Sequence, residues 1–114
     1  MSDCIFCGIV AGSVPATIVR RDDDVVAFRD VNPQAPTHIL VIPAEHVASA
    51  AELTPAHDHT WARLLHVAQS IADEEDLDGA GYRLVVNVGR HGGQTVDHLH
   101  VHLLGGRQMT WPPG

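Results

Sequence analysis

The chain has 114 residues, 45% of them hydrophobic, and a formal net charge of −7 at pH 7. That is the size of a single domain, residues 1–114, with one core to bury. The acidic balance argues against a nucleic-acid backbone as the main partner, although a small phosphate could still be held locally by backbone N–H groups and imidazoles. No run of 18 apolar residues occurs, so a membrane span is not expected either. The amino terminus lacks a signal-peptide pattern, and two cysteines read better as thiols or metal ligands than as a disulfide, which places the expected compartment in the cytoplasm.

In chain order, Cys4 to Ala11 reads as a short amphipathic helix with Asp3 as N-cap and Gly12 as its stop. Ala16–Arg20 and Val25–Arg29, separated by Arg21-Asp22-Asp23-Asp24, form an expected β-hairpin with an acidic turn. Asn32-Pro33-Gln34-Ala35-Pro36 is loop, and His38–Ile42 is a third strand closed by Pro43. A long helix follows, with Thr54 as N-cap and Pro55 at its first position. Trp61, Leu64, Leu65, Ala68, Ile71 and Ala72 make its apolar stripe, and it ends near Asp78-Gly79. Arg83–Val88 is the fourth strand, Gly89–Gln94 a turn, and His98–Leu104 the fifth. The sum is an α+β fold, a five-stranded antiparallel sheet with two helices packed on one side.

The fifth strand carries the chemistry. In His98-Leu99-His100-Val101-His102 the period of two puts all three imidazoles on one face, ~6–7 Å between neighbours and ~13 Å from first to last. Imidazole serves as nucleophile, acid, base or metal ligand near neutral pH. Two readings follow: a His-x-His metal site, or phosphoryl transfer with one ring attacking phosphorus and its neighbours moving protons. The upstream Gly92-Gly93-Gln94-Thr95 offers N–H groups and a hydroxyl to an oxyanion. Asp30, before the proline loop, suits ribose hydroxyls. Cys4-x-x-Cys7 reads as buried thiols or as half of a zinc site, since the βαβ context of a redox pair is missing. His57, His59 and His66 are expected on the solvated flank of the long helix, and His91 in the glycine turn.

These residues resemble the histidine triad (HIT) family, specifically its Hint branch of purine nucleoside phosphoramidases. The signature His-φ-His-φ-His-φ-φ is met by His98 to Leu104. The likeness extends through Cys4-Ile5-Phe6-Cys7, Ala27-Phe28-Arg29-Asp30, Asn32 to His38, Val41-Ile42-Pro43, Val85-Val86-Asn87 and Gly92-Gly93-Gln94. The tail Gly105-Gly106-Arg107-Gln108-Met109 and Trp111-Pro112-Pro113-Gly114 separates this branch from the dinucleoside polyphosphate hydrolases.

The resemblance implies a HIT-like fold and a hydrolase that cleaves purine nucleoside 5′-phosphoramidates through a covalent nucleotidyl-histidine, with no cofactor required for catalysis. It implies His100 as nucleophile, His102 and His38 as its partners at the phosphate, His98 as an ordering residue and Thr95 as a hydroxyl donor where Ser is common. An AMP-like purine nucleotide would be held by Phe28, Asp30 and Val31 at the nucleoside and by Asn87, Gly93, Gln94, Thr95, His100 and His102 at the phosphate. The tail with Trp111 would reach toward a partner's site in a homodimer. In some bacterial relatives a zinc ion is bound at the positions of Cys4, Cys7, His46 and His98, so a structural zinc is possible. Asp97 and Thr110 depart from residues common in the family, which bears on the local surface and on leaving-group selectivity. The competing expectations are a nucleotide-binding or scaffold protein with slow turnover, a dinucleoside polyphosphate hydrolase, and a zinc hydrolase.

Overall fold

The computed structural model describes residues 4–114, so the expected Asp3 cap lies outside the described residues. Helix α1 spans Ile5–Ala11; Cys4 is its N-cap, with Sγ accepting from the Cys7 N–H at 3.3 Å. Gly12 closes it in the left-handed region (φ 82°). Strands β1 (Ile18–Arg21), β2 (Val25–Arg29) and β3 (Thr37–Pro43) follow, then α2 (Asp58–Glu74), β4 (Tyr82–Val85) and β5 (Val101–Gly105). All neighbouring strands are antiparallel in the order β1-β2-β3-β5-β4.

The expected five-stranded antiparallel α+β architecture is present, but the two helices lie on opposite faces of the sheet. Alternation along a strand sends successive side chains to opposite sides. Val25, Ala27, Ile39, Val41, Val101 and Leu103 pack with Leu64, Val67, Ala68, Ile71 and Ala72 of α2. Val26, Phe28, Leu40 and Ile42 pack with Phe6 and Ile9 of α1. Both faces of β2 and β3 are therefore covered, and these strands bury their apolar residues on both sides.

Several boundaries differ from expectation for physical reasons. Thr54 caps a 3-10 turn at Pro55–His57 that leads into α2, and the Thr54 N–H donates to His57 Nδ1 at 3.0 Å, so His57 is a capping residue. Leu65 is 42% exposed, and Val67 takes the inward place the stripe had assigned to it. Helix α2 stops at Glu74 because Asp76 turns to φ 60° and brings Leu77 back under the sheet. Strand β5 starts at Val101 rather than His98. Its register pairs Val41 with Val101, which would set Leu99 opposite Pro43, and proline has no N–H for the ladder. Leu99 N–H instead donates to Val47 O at 2.7 Å. β4 ends at Val85 instead of Val88, since its partner strand offers nothing beyond that point.

Candidate active site

His102 on β5 and His38 on β3 point to the α1 face of the sheet, as Leu40 does between them. His98 and His100 precede β5, so their positions come from hydrogen bonds and not from strand alternation. The site is better understood ring by ring, because each imidazole meets a main-chain group or a neighbour that settles which nitrogen carries the proton.

His100 Nδ1 lies 2.7 Å from the His98 carbonyl. A carbonyl only accepts, so Nδ1 carries the hydrogen and Nε2 of the neutral ring keeps its lone pair. The Gln34 N–H donates to His38 Nδ1 at 3.0 Å, which leaves the proton of that ring on Nε2. His38 Nε2–H then donates to His102 Nδ1 at 3.0 Å, and the remaining hydrogen of His102 sits on its Nε2. The Asp30 carboxylate stands 3.5 Å from His38 Nε2, and its other oxygen accepts from the Asn32 N–H at 2.8 Å. The His100 and His102 rings are 4.9 Å apart, centre to centre. Neutral, they present a lone pair on one ring and an N–H on the next.

Burial favours the neutral form of His102 and of His38. Desolvation pushes His102 down from 6.5 to about 4, helped by the nearby His100 and His38 and opposed by Asp30. His38 is lowered by the same cause, again against Asp30.

Phe6 of α1 builds the wall of the site. Its ring meets His100 edge-on at 5.3 Å and Phe28 at 5.3 Å. A cleft of about 290 Å³ opens here, and His100, His102, Thr95, Phe28, Asp30 and Val31 are among the residues that line it. Val31 is 96% exposed at its rim. The apolar lining supplied by Phe6, Val14, Ala16, Leu40 and Val96 was not singled out from the sequence. The available signal was the i, i+3 pair Phe6 and Ile9, which sends one face of α1 onto the sheet.

Of the expected site residues, His38, His100, His102, Asp30, Phe28, Val31 and Thr95 come together, while Asn87, Gly93, Gln94 and Trp111 do not line the cleft. Gln94 is a loop brace: its Nε2 donates to Ala48 O (2.7 Å) and Val96 O (2.9 Å), and its Oε1 accepts from the Gly89 N–H (2.9 Å). Gly93 adopts φ 79° within that turn. Trp111 is 82% exposed in the tail.

His98 faces the other way, into a second cluster. Its Nε2–H donates to Pro43 O at 2.9 Å, so the lone pair is on Nδ1. That atom lies 3.4 Å from Cys4 Sγ, 3.6 Å from Cys7 Sγ and 3.2 Å from His46 Nδ1, while Cys7 Sγ is 3.2 Å from His46 Nδ1. The four donor atoms lie within 4.8 Å of one another. Tetrahedral zinc with bonds of 2.0–2.3 Å sets its ligand atoms about 3.3–3.8 Å apart, so this donor set fits that ion. The carbonyl on the far nitrogen of His98 is the usual way a ligating imidazole is oriented. Desolvation lowers His98 as well, against the Pro43 hydrogen bond.

The sequence profile of the HIT domain family matches residues 11–109. The chain is 46% identical over 107 residues to the purine nucleoside phosphoramidase of Escherichia coli, covering 94% of this chain and 90% of that protein. It is 50% identical over 115 residues to a 14 kDa zinc-binding protein of Zea mays, covering 99% and 89%. The crystal structure of a HIT family hydrolase from Legionella pneumophila matches with a TM-score of 0.97 at 51% identity, over 98% of this chain and 100% of that one.

Proposed function

The chain belongs to the HIT domain family, and on that premise we propose that it hydrolyses purine nucleoside 5′-phosphoramidates to the nucleoside monophosphate and an amine. The observation that carries the reading is the hydrogen bond from His100 Nδ1 to the His98 carbonyl. It leaves Nε2 as a neutral nucleophile that needs no deprotonation. The named activity of the Escherichia coli relative supports the same choice of substrate class.

The nucleoside enters the cleft with its base toward Phe28 and Val31 and its ribose toward Asp30. The phosphoryl group reaches His100, His102 and the Thr95 hydroxyl. An arriving anion opposes the burial that lowers His102, so His102 takes up a proton at Nδ1 with the substrate, and the His38 Nε2–H that had donated there turns to the Asp30 carboxylate 3.5 Å away. His100 Nε2 then attacks phosphorus as the P–N bond breaks, and the amine leaves with the proton from His102 Nε2. In the second step His102 Nε2 takes a proton from water, whose oxygen attacks phosphorus as the bond to His100 breaks. Atoms and charge balance over both steps, and His102 alternates as acid and base.

Cys4, Cys7, His46 and His98 would hold a zinc ion, and the zinc-binding relative supports that assignment. When bound, the ion supplies a cross-link between the start of α1, the segment after β3 and the approach to β5.

Turnover of an adenosine phosphoramidate tests the reading. His100→Asn should lower the rate by roughly a thousandfold or more while nucleotide affinity stays within a few-fold. Nucleotide binding by the wild-type protein with no turnover above background overturns it in favour of a binding protein.

A further inference from the structure

We infer that Arg107 is a positioning residue that fixes the proton arrangement of the His38–His102 pair by acting through Gln34. The inference rests on the acid–base role given to that pair above. Arg107 lies in the tail just beyond β5, exposed to solvent. Its Nε donates to Gln34 O at 3.0 Å and its Nη1 to Gln108 O at 3.2 Å. Gln34 is the residue whose N–H donates to His38 Nδ1.

The segment that carries Gln34 has little else to hold it. Residues 31–34 are exposed, and Ala35 alone of the proline loop is buried. Burial of apolar surface therefore does not fix where the Gln34 N–H points. Polar clamps do: Gln34 Nε2 donates to Asn32 O at 3.0 Å, Asp30 N–H to His38 O at 3.0 Å, and Arg107 grips the loop from outside. A second observation shows the tail docked on this loop. Gly106 sits at φ 90°, and a Cβ there would stand 2.9 Å from Pro36 Cβ, so the chain approaches Pro36 as closely as only glycine allows.

Loss of the Gln34 donor reverses the pair. With Nδ1 of His38 unopposed, its proton is free to sit there, and Nε2 becomes a lone pair facing His102 Nδ1. His102 then answers with Nδ1–H, and its Nε2 no longer offers a hydrogen to the cleft. A tautomer error of this kind reduces the chemical step and leaves binding almost untouched.

The test pairs kinetics with side-chain nitrogen NMR of the full chain labelled with ¹⁵N. In the wild type, His38 should be protonated at Nε2 and bare at Nδ1. Arg107→Met should show mixed tautomers at both His38 and His102, a kcat on adenosine phosphoramidate about tenfold lower, and KM within about twofold. Arg107→Lys keeps one donor and should recover most of both signals. If Arg107→Met does not fold, Gly106→Ala, which drives the same segment off Pro36, is read by the same spectra. Unchanged tautomers in these variants overturn the inference, whatever happens to kcat or thermal stability. A wild type without turnover would refute the proposed function alone, because the spectra still decide the role of Arg107.

Discussion

Acid should unfold this protein earlier than a chain of its composition requires, and His102 should account for a definable part of the loss. Its folded-state value of about 4 lies below the 6.5 of an exposed imidazole. As pH falls from about 6.5, the unfolded chain takes up a proton that the folded ring refuses. Stability is therefore complete above pH 6.5, declines as pH drops, and levels off below about 4. The full displacement corresponds to a ceiling of about 3 kcal/mol, and relaxation of a ring not wholly buried brings the expected loss nearer 1–2 kcal/mol. His38 shifts in the same direction and adds to the slope. The assay is urea unfolding at pH 7, 6, 5 and 4.5 for the wild type and His102→Asn, whose amide oxygen can still accept from His38 Nε2. The variant should lose about 1–2 kcal/mol less than the wild type across that range. Parallel profiles for the two proteins would refute the reasoning.

Two further outcomes follow from other parts of the molecule. Protein purified without a histidine tag should contain about one zinc per chain by elemental analysis, and Cys7→Ser should lose the ion and lower the thermal midpoint by several degrees; a metal-free wild type of undiminished stability removes the zinc assignment. Gly92→Ala should destabilise the turn before the histidines by about 2 kcal/mol in urea unfolding, because a Cβ there would meet the Val88 carbonyl oxygen and stand 2.7 Å from the Val88 nitrogen; a change under about 0.5 kcal/mol would mean the backbone yields freely.

Much of the fold was legible because local chemistry and tertiary packing agree. The acidic turn between β1 and β2, Pro43 at the end of β3 and the α2 stripe apart from Leu65 all stand where the residues put them. The helices, expected on one side, lie on opposite faces, and the signal for that stood elsewhere in the chain. Val25-Val26-Ala27-Phe28 and Ile39-Leu40-Val41-Ile42 are unbroken apolar runs, the mark of strands covered on both faces. Alternation of His98, His100 and His102 pointed to the right residues for the wrong geometric reason. Two of the rings lie off the strand, and His98 turns toward Cys4, Cys7 and His46, away from the cleft. A period in the sequence cannot register that Pro43, remote along the chain, ends the ladder that alternation requires. The place of Phe6 in the cleft wall was not legible, because a short helix gives few turns in which a pattern can declare itself.

The groups that choose the protonated nitrogen on His38, His98 and His100 all belong to the main chain: the Gln34 amide, the Pro43 carbonyl and the His98 carbonyl. A peptide group is present whatever residue is encoded there, apart from the amide that proline lacks. Codon changes at positions 34, 43 and 98 can thus displace these partners without deleting them. Such a centre tolerates drift in its surroundings far better than one whose rings are oriented by carboxylates, where a single nucleotide change erases the orienting group outright.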